Sequence, residues 1–303
     1  MRINLEGNLI PYPLDVLFGK LRLVGLSKED SHEVFLKIKN ELLNLDEVPT
    51  ESRIFEIMET LLEINHQDSV KKFQTLLKYE QLRRTDTNIP PIILILAGAS
   101  ATGKSMLAIR MIENLSSTRM TSTDTIRQIL RNVVSHTMFP ELFCHTYQAH
   151  RYRQSGPEDL DNVVQGFIAQ CELIIPTIVK AVARISDEGA NAIIEGVHIL
   201  PGVIAPSFNP GVIEIVINPS VDDHKSMFMT KHSAGALRTV SSDEVTREFE
   251  YIAARKIQDY ILQQARQNNV RIIELSDYDK AEMDICNVVI ETIFQILKQH
   301  DTS

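Results

Sequence analysis

The chain has few cysteines and no block of basic residues, and both shortages exclude classes of protein. Its 303 residues include three cysteines, Cys144, Cys171 and Cys286, without C-x-x-C spacing or the grouping of a metal site. They predict reduced thiols in a cytoplasmic protein. A net charge of −9, from 31 basic and 40 acidic residues, argues against a general nucleic-acid surface, although it leaves room for a local basic pocket.

Long apolar runs are also scarce. The first residues, M-R-I-N-L-E, lack the apolar segment of a secretory signal, and we expect no stretch of membrane length. Hydrophobic residues make up 44% of the chain and charged residues 23%, the balance of a soluble, well-cored protein. The length allows one large or two modest domains.

Residues 98–105 fit the pattern G-x-x-x-x-G-K-[ST], which binds nucleoside triphosphates. They follow the apolar run 92–96, which predicts a buried parallel strand, and precede apolar residues at helical spacing. At a helix N-terminus, free backbone N–H groups and the helix dipole favour phosphate. We expect Lys104 to reach the β- and γ-phosphates of ATP and the Ser105 hydroxyl to bind Mg²⁺. The predicted cradle is Gly98, Ala99, Ser100, Ala101, Thr102, Gly103, Lys104 and Ser105.

The chain changes character near residue 80. Residues 1–80 begin with a hairpin-like turn and continue in helical patterns, and a polar connector at 81–90 ends in a proline pair. From residue 91 to 303, predicted strands alternate with helices. This alternation predicts an α/β domain with a parallel sheet covered by helices on both faces, and a ligand at the carboxyl ends of the strands.

One strand end carries an acidic residue followed by two arginines. The second predicted strand of this domain leads into Asp124 and Arg127, with Arg131 on the same helix face. A carboxylate can orient or accept an alcohol proton, and arginines can bind an anionic acceptor. The alternative is that Asp124 only caps the helix and that both arginines are solvated.

The third strand of this domain ends at Glu195, with His198 shortly after it. A carboxylate there is typical of the magnesium-associated acid of P-loop enzymes. It could instead cap the following turn or bind an arginine. His198 taken alone is more typical of a structural histidine.

A basic loop follows the fourth strand of this domain, and its charged residues include Lys231, His232 and Arg238. Such a loop between helices is typical of the lid that closes over phosphates in small-molecule kinases. The alternative is a solvent-facing loop whose charges only confer solubility.

Several stretches together resemble one family. They are the P-loop, S-T-D-T-I-R at 122–127, G-F-I-A-Q at 166–170, I-I-E-G-V-H-I-L-P-G at 193–202 and K-I-Q-D-Y-I at 256–261. In this order they resemble the archaeal 2-phosphoglycerate kinases. The region from Gly7 to Gly25, with Pro11-Tyr12 between, resembles the ATP-cone, a regulatory nucleotide-binding module that precedes the P-loop domain in this family. The resemblance covers nearly the whole chain.

The resemblance implies a P-loop kinase that uses ATP and Mg²⁺ to convert 2-phosphoglycerate to 2,3-bisphosphoglycerate, a step toward cyclic 2,3-diphosphoglycerate. It implies an acceptor site at Asp124 and Arg127, with Glu195 and His198 near the reacting groups. Lys231, His232 and Arg238 would stabilise the transferring phosphoryl group. The N-terminal domain, 1–80, is then ATP-cone-like, with a linker at 81–90 before the kinase domain at 91–303.

The chain departs from the family pattern at its N-terminus. Asn4-Leu5-Glu6 stands where typical ATP-cones carry a basic pair, and Pro13-Leu14 where they carry Ser-Lys. Both changes remove phosphate ligands, which argues against nucleotide binding by this domain. The lid also has fewer arginines than expected, so two other functions stay open. One is a kinase of another small acceptor, such as a sugar acid or nucleotide, and the other is an ATP-responsive regulator without turnover.

Overall fold

The structure, a computed structural model, describes residues 1–234 and 241–302. A small antiparallel hairpin and four helices precede a region in which strands and helices alternate. In chain order the elements are β1 (Arg2–Leu5), β2 (Asn8–Pro11), α1 (Asp15–Leu23), α2 (Lys28–Leu43), α3 (Glu51–Asn65), α4 (Gln67–Thr85), β3 (Ile93–Ala97), α5 (Lys104–Asn114), β4 (Arg119–Ser122), α6 (Thr123–Arg131), α7 (Asn162–Asp187), β5 (Ala192–Gly196), β6 (Val212–Pro219), α8 (Val221–Ala234), α9 (Glu244–Gln267), β7 (Arg271–Leu275) and α10 (Tyr278–His300). Two 3-10 turns, Pro140–Phe143 and Thr146–Arg151, lie between α6 and α7.

Five parallel strands form the central sheet in the order β4-β5-β3-β6-β7. The predicted α/β fold with a parallel sheet is confirmed. Glu195 on β5 lies level with Leu96 on β3 and with Ser122 on β4. The carboxyl ends of these three strands therefore meet at one edge, where the P-loop and the turn into α6 begin.

The sheet is apolar on both faces because each face has its own core. Successive residues of β3 point to opposite sides: Leu94 and Leu96 pack with α5 and α10, whereas Ile93 and Ile95 pack with α7 and α9. This explains the unbroken apolar run, since a strand buried on both sides cannot alternate with polar residues.

The N-terminal helices extend the first of these cores. Apolar residues of β1 and α1–α4 form one continuous cluster with those of α5 and α10. At Gly19 the backbones come close enough that an added Cβ would lie 2.2 Å from the Glu113 carbonyl oxygen. Residues 81–85 of the predicted linker form the end of α4. The N-terminal segment is thus packed along the P-loop helix.

Helix α7 corrects the expectation that no apolar stretch reaches membrane length. By length and composition alone, this 26-residue helix is the one described helix that could span a bilayer. More than half of its apolar window is buried within the protein. Its packing against α9 and the sheet accounts for this hydrophobicity, as in the core helix of a globular domain.

Candidate active site

The P-loop is held by its own backbone and by a buried glutamine. Gly103 has φ +83°, and a Cβ there would lie 2.3 Å from Leu275 Cδ2, so only glycine fits. The Lys104 ammonium donates a hydrogen bond to the Ala99 carbonyl at 3.0 Å. Fully buried Gln258 on α9 accepts from the Ala99 amide at 2.8 Å and donates to the Ile217 carbonyl at 3.0 Å. Helix α9 therefore fixes the loop to β6.

The P-loop serine and the acid at the end of β5 are in direct contact. Ser105 Oγ lies 3.1 Å from Glu195 Oε2, and Glu195 is only 6% exposed. The hydrogen-bond partner of this carboxylate is thus the hydroxyl of Ser105, the second residue of α5. A hydroxyl and a carboxylate side by side offer two of the oxygen ligands that Mg²⁺ prefers.

A cavity of about 490 Å³ opens above the P-loop. The P-loop and the start of α5 line it together with α6, the segment 145–147, the end of β5, helices α8 and α9, and Tyr278 at the start of α10. Its lining residues are 99–106, Asp124, Arg127, Gln128, His145, Thr146, Tyr147, Glu195, Val197, Met227, Lys231, Ala254, Ile257 and Tyr278.

Asp124 and Arg127 face each other on the first turn of α6. Arg127 Nη2 lies 3.0 Å from Asp124 Oδ1, and Arg127 Nη1 donates to the Cys144 carbonyl at 2.6 Å. The side chain of Arg127 is 12% exposed and that of Asp124 65%. Ser122, and not Asp124, caps the helix, since its hydroxyl accepts from the Thr125 amide. Asp124 is therefore free of a capping role and points into the open cavity.

Asp124 remains ionised because positive groups surround it. Proximity to protein atoms acts to raise the pKa of its carboxyl. Interaction with His198 in its protonated form, and with the permanent charges of Arg127 and the two cavity lysines, outweighs this and lowers the pKa below its usual value. At neutral pH the group is thus a carboxylate that accepts hydrogen bonds.

Lys231 brings a second lysine to the cavity from α8. Its ammonium donates to Ser100 Oγ at 2.9 Å, and burial together with the charge of Lys104 lowers its pKa. His224, on the same helix and fully buried, lies with Nε2 2.8 Å from the Ser100 carbonyl. Helix α8 therefore contacts both the backbone and the side chain of Ser100 in the P-loop.

Behind the cavity wall, His198 is the centre of a buried hydrogen-bond network. Its Nδ1 lies 3.0 Å from Thr123 Oγ1, and its Nε2 lies 3.1 Å from Thr146 Oγ1 and 3.0 Å from Gln170 Oε1. The ring is fully buried, and burial, with the charge of Arg127, lowers its pKa to about 3. His198 is neutral at physiological pH.

The glycines of the two family-like motifs permit this network. An added Cβ at Gly196 would lie 1.9 Å from Thr123 Oγ1, and one at Gly166 would lie 2.2 Å from the His150 backbone nitrogen. The first close approach seats the start of α6 on β5, and the second seats the 3-10 turn on α7. The motifs E-G-V-H and G-F-I-A-Q thus build the support for one wall of the cavity.

The structure brings most predicted site residues together. Lys104, Ser105, Asp124, Arg127, Glu195 and Lys231 line one cavity with residues 99–103 of the P-loop. Gly98, Arg131 and His198 are not among its lining residues. Arg131 donates from Nε to the Leu142 carbonyl at 2.6 Å and lies over the Phe143 ring, so it holds the segment that follows α6. Arg238 and the side chain of His232 lie outside the described residues.

Sequence reasoning missed one wall of the cavity. Gln128, His145, Thr146 and Tyr147 line it, and the last three come from a segment of short 3-10 turns without periodicity. The His145 and Tyr147 rings stack with centroids 5.2 Å apart, and burial lowers the pKa of His145. Among these four residues only Gln128 offered a signal in the sequence, because it follows Arg127 directly on α6.

Curated relatives of this chain come from archaea. The 2-phosphoglycerate kinase of Methanothermobacter thermautotrophicus is 30% identical over 73% of this chain and 69% of its own length. That of Methanopyrus kandleri is 28% identical over 95% of this chain and 86% of its own. The chain belongs to the 2-phosphoglycerate kinase family. The resemblance inferred from the motifs is confirmed.

A further relative and two solved structures are less similar to the chain in sequence. The 2-phosphoglycerate kinase of Pyrococcus furiosus is 24% identical over 96% of this chain and 93% of its own. No protein-family model matches the chain. Among solved structures, shikimate kinase from Acinetobacter baumannii has 10% identity and a TM-score of 0.40, covering 72% of this chain and 97% of that one. A Thermus thermophilus protein has 14% identity and a TM-score of 0.41, covering 66% and 97%. At TM-scores below 0.5, these two likenesses do not bear on function.

Proposed function

We propose that this protein is an ATP-dependent kinase that transfers the γ-phosphoryl group to the hydroxyl of 2-phosphoglycerate, giving 2,3-bisphosphoglycerate and ADP. One observation carries the proposal: a single cavity joins the P-loop lysine and serine to a carboxylate–arginine pair on the facing wall. A site that only sensed ATP would not need a carboxylate and an arginine opposite the phosphates. The kinase relatives support this reaction and this acceptor.

The order of strands supports one direction for bound ATP. The P-loop follows the central strand β3, Asp124 follows β4 at one edge, and Tyr278 follows β7 at the other. The γ-phosphate must face the acceptor, so the ribose and base extend toward the β7 edge. Tyr278 and Met106 line that end of the cavity and offer an aromatic ring and an apolar side chain to a planar base.

The residues present fit a magnesium ion bound together with ATP. Ser105 and Glu195 would hold it, the serine directly and the glutamate directly or through water, with phosphate oxygens and water as the remaining ligands. Groups of three or more His, Cys, Asp or Glu side chains able to hold a metal are absent from the described residues. When bound, the ion neutralises charge on the β- and γ-phosphates.

The acceptor hydroxyl would be oriented by Asp124. The hydroxyl oxygen forms the new bond to the γ-phosphorus, the bond from that phosphorus to the β,γ-bridging oxygen breaks, and the hydroxyl proton passes to the Asp124 carboxylate. A carboxylate with a low pKa is a weak base. This is adequate, because phosphoryl transfer proceeds through a loose transition state in which the proton leaves late and positioning contributes most.

The acceptor brings a phosphate and a carboxylate, and these must be held against the charge of ATP. Within the described residues, the lysines and arginines that line the cavity are Lys104, Arg127 and Lys231. Of these, Arg127 pairs directly with Asp124, with its Nη2 3.0 Å from Oδ1. We assign Arg127 to an anionic group of the acceptor, and Lys104 and Lys231 to the phosphates of ATP.

An acceptor panel tests the proposal. ADP release is measured with 2-phosphoglycerate, 3-phosphoglycerate, glycerate, shikimate, sugar acids and nucleosides, and the product is identified by ³¹P NMR. We expect the highest kcat/KM for 2-phosphoglycerate and two non-equivalent phosphomonoester signals from the product. Protein carrying Lys104→Ala, purified in parallel, controls for contaminating kinases.

Two results would overturn the assignment. A much higher kcat/KM for another acceptor would make the protein a kinase of that compound. ATP binding without release of ADP in the presence of any acceptor would make it a nucleotide-responsive regulator.

A further inference from the structure

A buried ion pair joins the N-terminal segment to the last helix. Arg22 at the end of α1 donates from Nε to Glu282 Oε1 on α10 at 3.0 Å, and the two side chains are 2% and 6% exposed. Asn114 at the end of α5 donates to the same oxygen at 2.8 Å. Arg22 also donates to the Leu26 carbonyl at 2.7 Å. Three parts of the chain therefore converge on one carboxylate.

The second oxygen of Glu282 contacts another arginine. Arg110 Nη1 on α5 lies 3.1 Å from Glu282 Oε2 and 2.5 Å from Asp279 Oδ1. The Arg110 guanidinium lies over the Tyr278 ring, 5.5 Å from its centroid. Tyr278 lines the cavity, and its hydroxyl would lie 2.8 Å from a Cβ placed at Gly103. A continuous series of contacts thus runs from α1 to the cavity wall.

Glu282 is the buried link of this series, whereas Arg110 also pairs with the more exposed Asp279. Glu282 is buried, so withdrawing one arginine would leave its charge partly uncompensated, which a low-dielectric site penalises strongly. Both of its oxygens are engaged, Oε1 with Arg22 and Oε2 with Arg110, so the two arginines share the charge of one carboxylate. Gly19 lets the backbone of α1 pack closely against that of Glu113 near the end of α5.

We propose that Glu282 is a positioning residue that couples the N-terminal segment to the nucleotide cavity, by holding Arg110 against Tyr278. This rests on the proposed function, since the wall formed by Tyr278 is the one assigned to the nucleotide base. On this view the N-terminal helices complete the base-binding wall through Arg22, whether or not they bind a ligand of their own.

The test separates the base from the phosphates. Calorimetry in the presence of Mg²⁺ measures the Kd of the full chain for the β,γ-imido analogue of ATP and for inorganic tripolyphosphate, which has no base. We expect Tyr278→Leu and Arg110→Met to weaken binding of the analogue about tenfold, the size of one base–aromatic contact. Binding of tripolyphosphate should stay within about twofold.

A double-mutant cycle tests whether Arg22 affects nucleotide binding through Tyr278. Arg22→Met should weaken binding of the ATP analogue about threefold in the wild-type background and have no further effect in the Tyr278→Leu background. The reason is that the effects of substitutions at coupled residues are not additive. Lys72→Met is the matched control: it also removes a contact between the N-terminal segment and α10, the 2.9 Å hydrogen bond to Asn287, but does not reach Arg110. If Arg22→Met does not fold, Glu282→Gln, which keeps the shape of the side chain, replaces it in the cycle.

The outcomes are distinct. Additive losses, equal losses for both ligands, or the same loss in Lys72→Met would overturn the coupling. A wild-type protein that binds neither ligand would instead contradict the proposed function. Binding of both ligands by the wild type, with loss of only the analogue in the variants, would support the coupling.

Discussion

The two halves of the cavity are built in different ways. The phosphate half comes from one contiguous segment, 98–105, whose backbone amides and glycines form the cradle. The acceptor half is assembled from side chains on α6, on the 3-10 turn at 146–151 and on β5, which lie far apart in the sequence. A cradle made of backbone depends on local conformation, whereas a wall made of side chains depends on how distant elements are held together.

The supports of the two halves differ accordingly. In the phosphate half, the side chains of Gln258 and His224 form hydrogen bonds with the P-loop backbone, Gln258 as the acceptor from the Ala99 amide. On the acceptor side, His198 bonds to the side chains of Thr123 and Thr146. Changes in the phosphate half should therefore abolish chemistry outright, and changes in the acceptor half should separate binding from turnover. The following substitutions test this difference.

The largest loss is expected from Lys104→Ala. It removes a buried charge from the β- and γ-phosphates, and turnover should fall about 10³-fold or more, the size of a strong electrostatic contribution to a transition state. The rate of ADP release measures this. Lys225→Ala on α8, where the lysine forms an exposed pair with Glu248, is the control and should be active. Near wild-type turnover by a folded Lys104→Ala protein would contradict the placement of ATP on the P-loop.

The next largest loss of turnover is expected from Asp124→Asn. The change keeps the shape and removes the proton acceptor, so kcat should fall about 10²- to 10³-fold, in the range of general base catalysis. Affinity for the ATP analogue should hardly change, because the carboxylate acts mainly in the transition state. Steady-state kinetics and calorimetry together check the split. Weaker nucleotide binding with an unchanged acceptor KM would assign this end of β4 to the nucleotide.

Arg127→Ala should have a smaller effect on kcat and a larger one on the acceptor KM, which we expect to rise about tenfold or more with loss of a charge-assisted contact. Because Arg127 also pairs with Asp124, kcat should decrease modestly. Arg127→Lys should restore little, since an ammonium cannot reach both Asp124 and the Cys144 carbonyl. Arg184→Ala, which removes an exposed pair with Glu188, is the control. A raised KM for ATP with an unchanged acceptor KM would show that Arg127 serves the nucleotide.

The phosphate half could be predicted from the sequence because its signal is local. A glycine pattern between an apolar strand and a helix determines where Lys104 and Ser105 lie, without reference to distant residues. The same holds for the parallel sheet, since apolar runs separated by helical patterns indicate it. Asp124 and Glu195 could be placed near each other because both follow parallel strands, although their register could not be derived.

The acceptor half could be predicted only in part, because it depends on long-range packing. Arg127 and Arg131 are one helical turn apart, yet only Arg127 reaches the cavity, since the segment after α6 folds back over Arg131. His198 follows Glu195 closely but points to the other side of the wall. Residues 145–147 have no periodic pattern, so nothing local indicated that they line the cavity. The packing of the N-terminal helices on α5 could not be predicted either, because a helical pattern does not specify which element the helix packs against.

The smallest effect on turnover at neutral pH is expected from His198→Gln, which keeps a polar side chain in the acceptor-side network. Its signature is the pH dependence of stability. In the unfolded chain the His198 imidazole takes up a proton near its usual pKa of 6.5, whereas in the folded protein it stays neutral down to about pH 3. Between these values the unfolded state binds more protons, so the free energy of unfolding decreases as pH falls, by at most roughly 1.4 kcal/mol per pH unit from this residue. Above pH 6.5 the residue contributes no pH dependence.

Urea unfolding from pH 7 to pH 4 should therefore give a shallower decrease in the free energy of unfolding for His198→Gln than for the wild type. His32→Gln, which removes an exposed histidine on α2, is the control. Equal slopes for the wild type and His198→Gln would mean that His198 is protonated in the folded protein, and the acceptor-side wall would then rest on a charged rather than a neutral histidine.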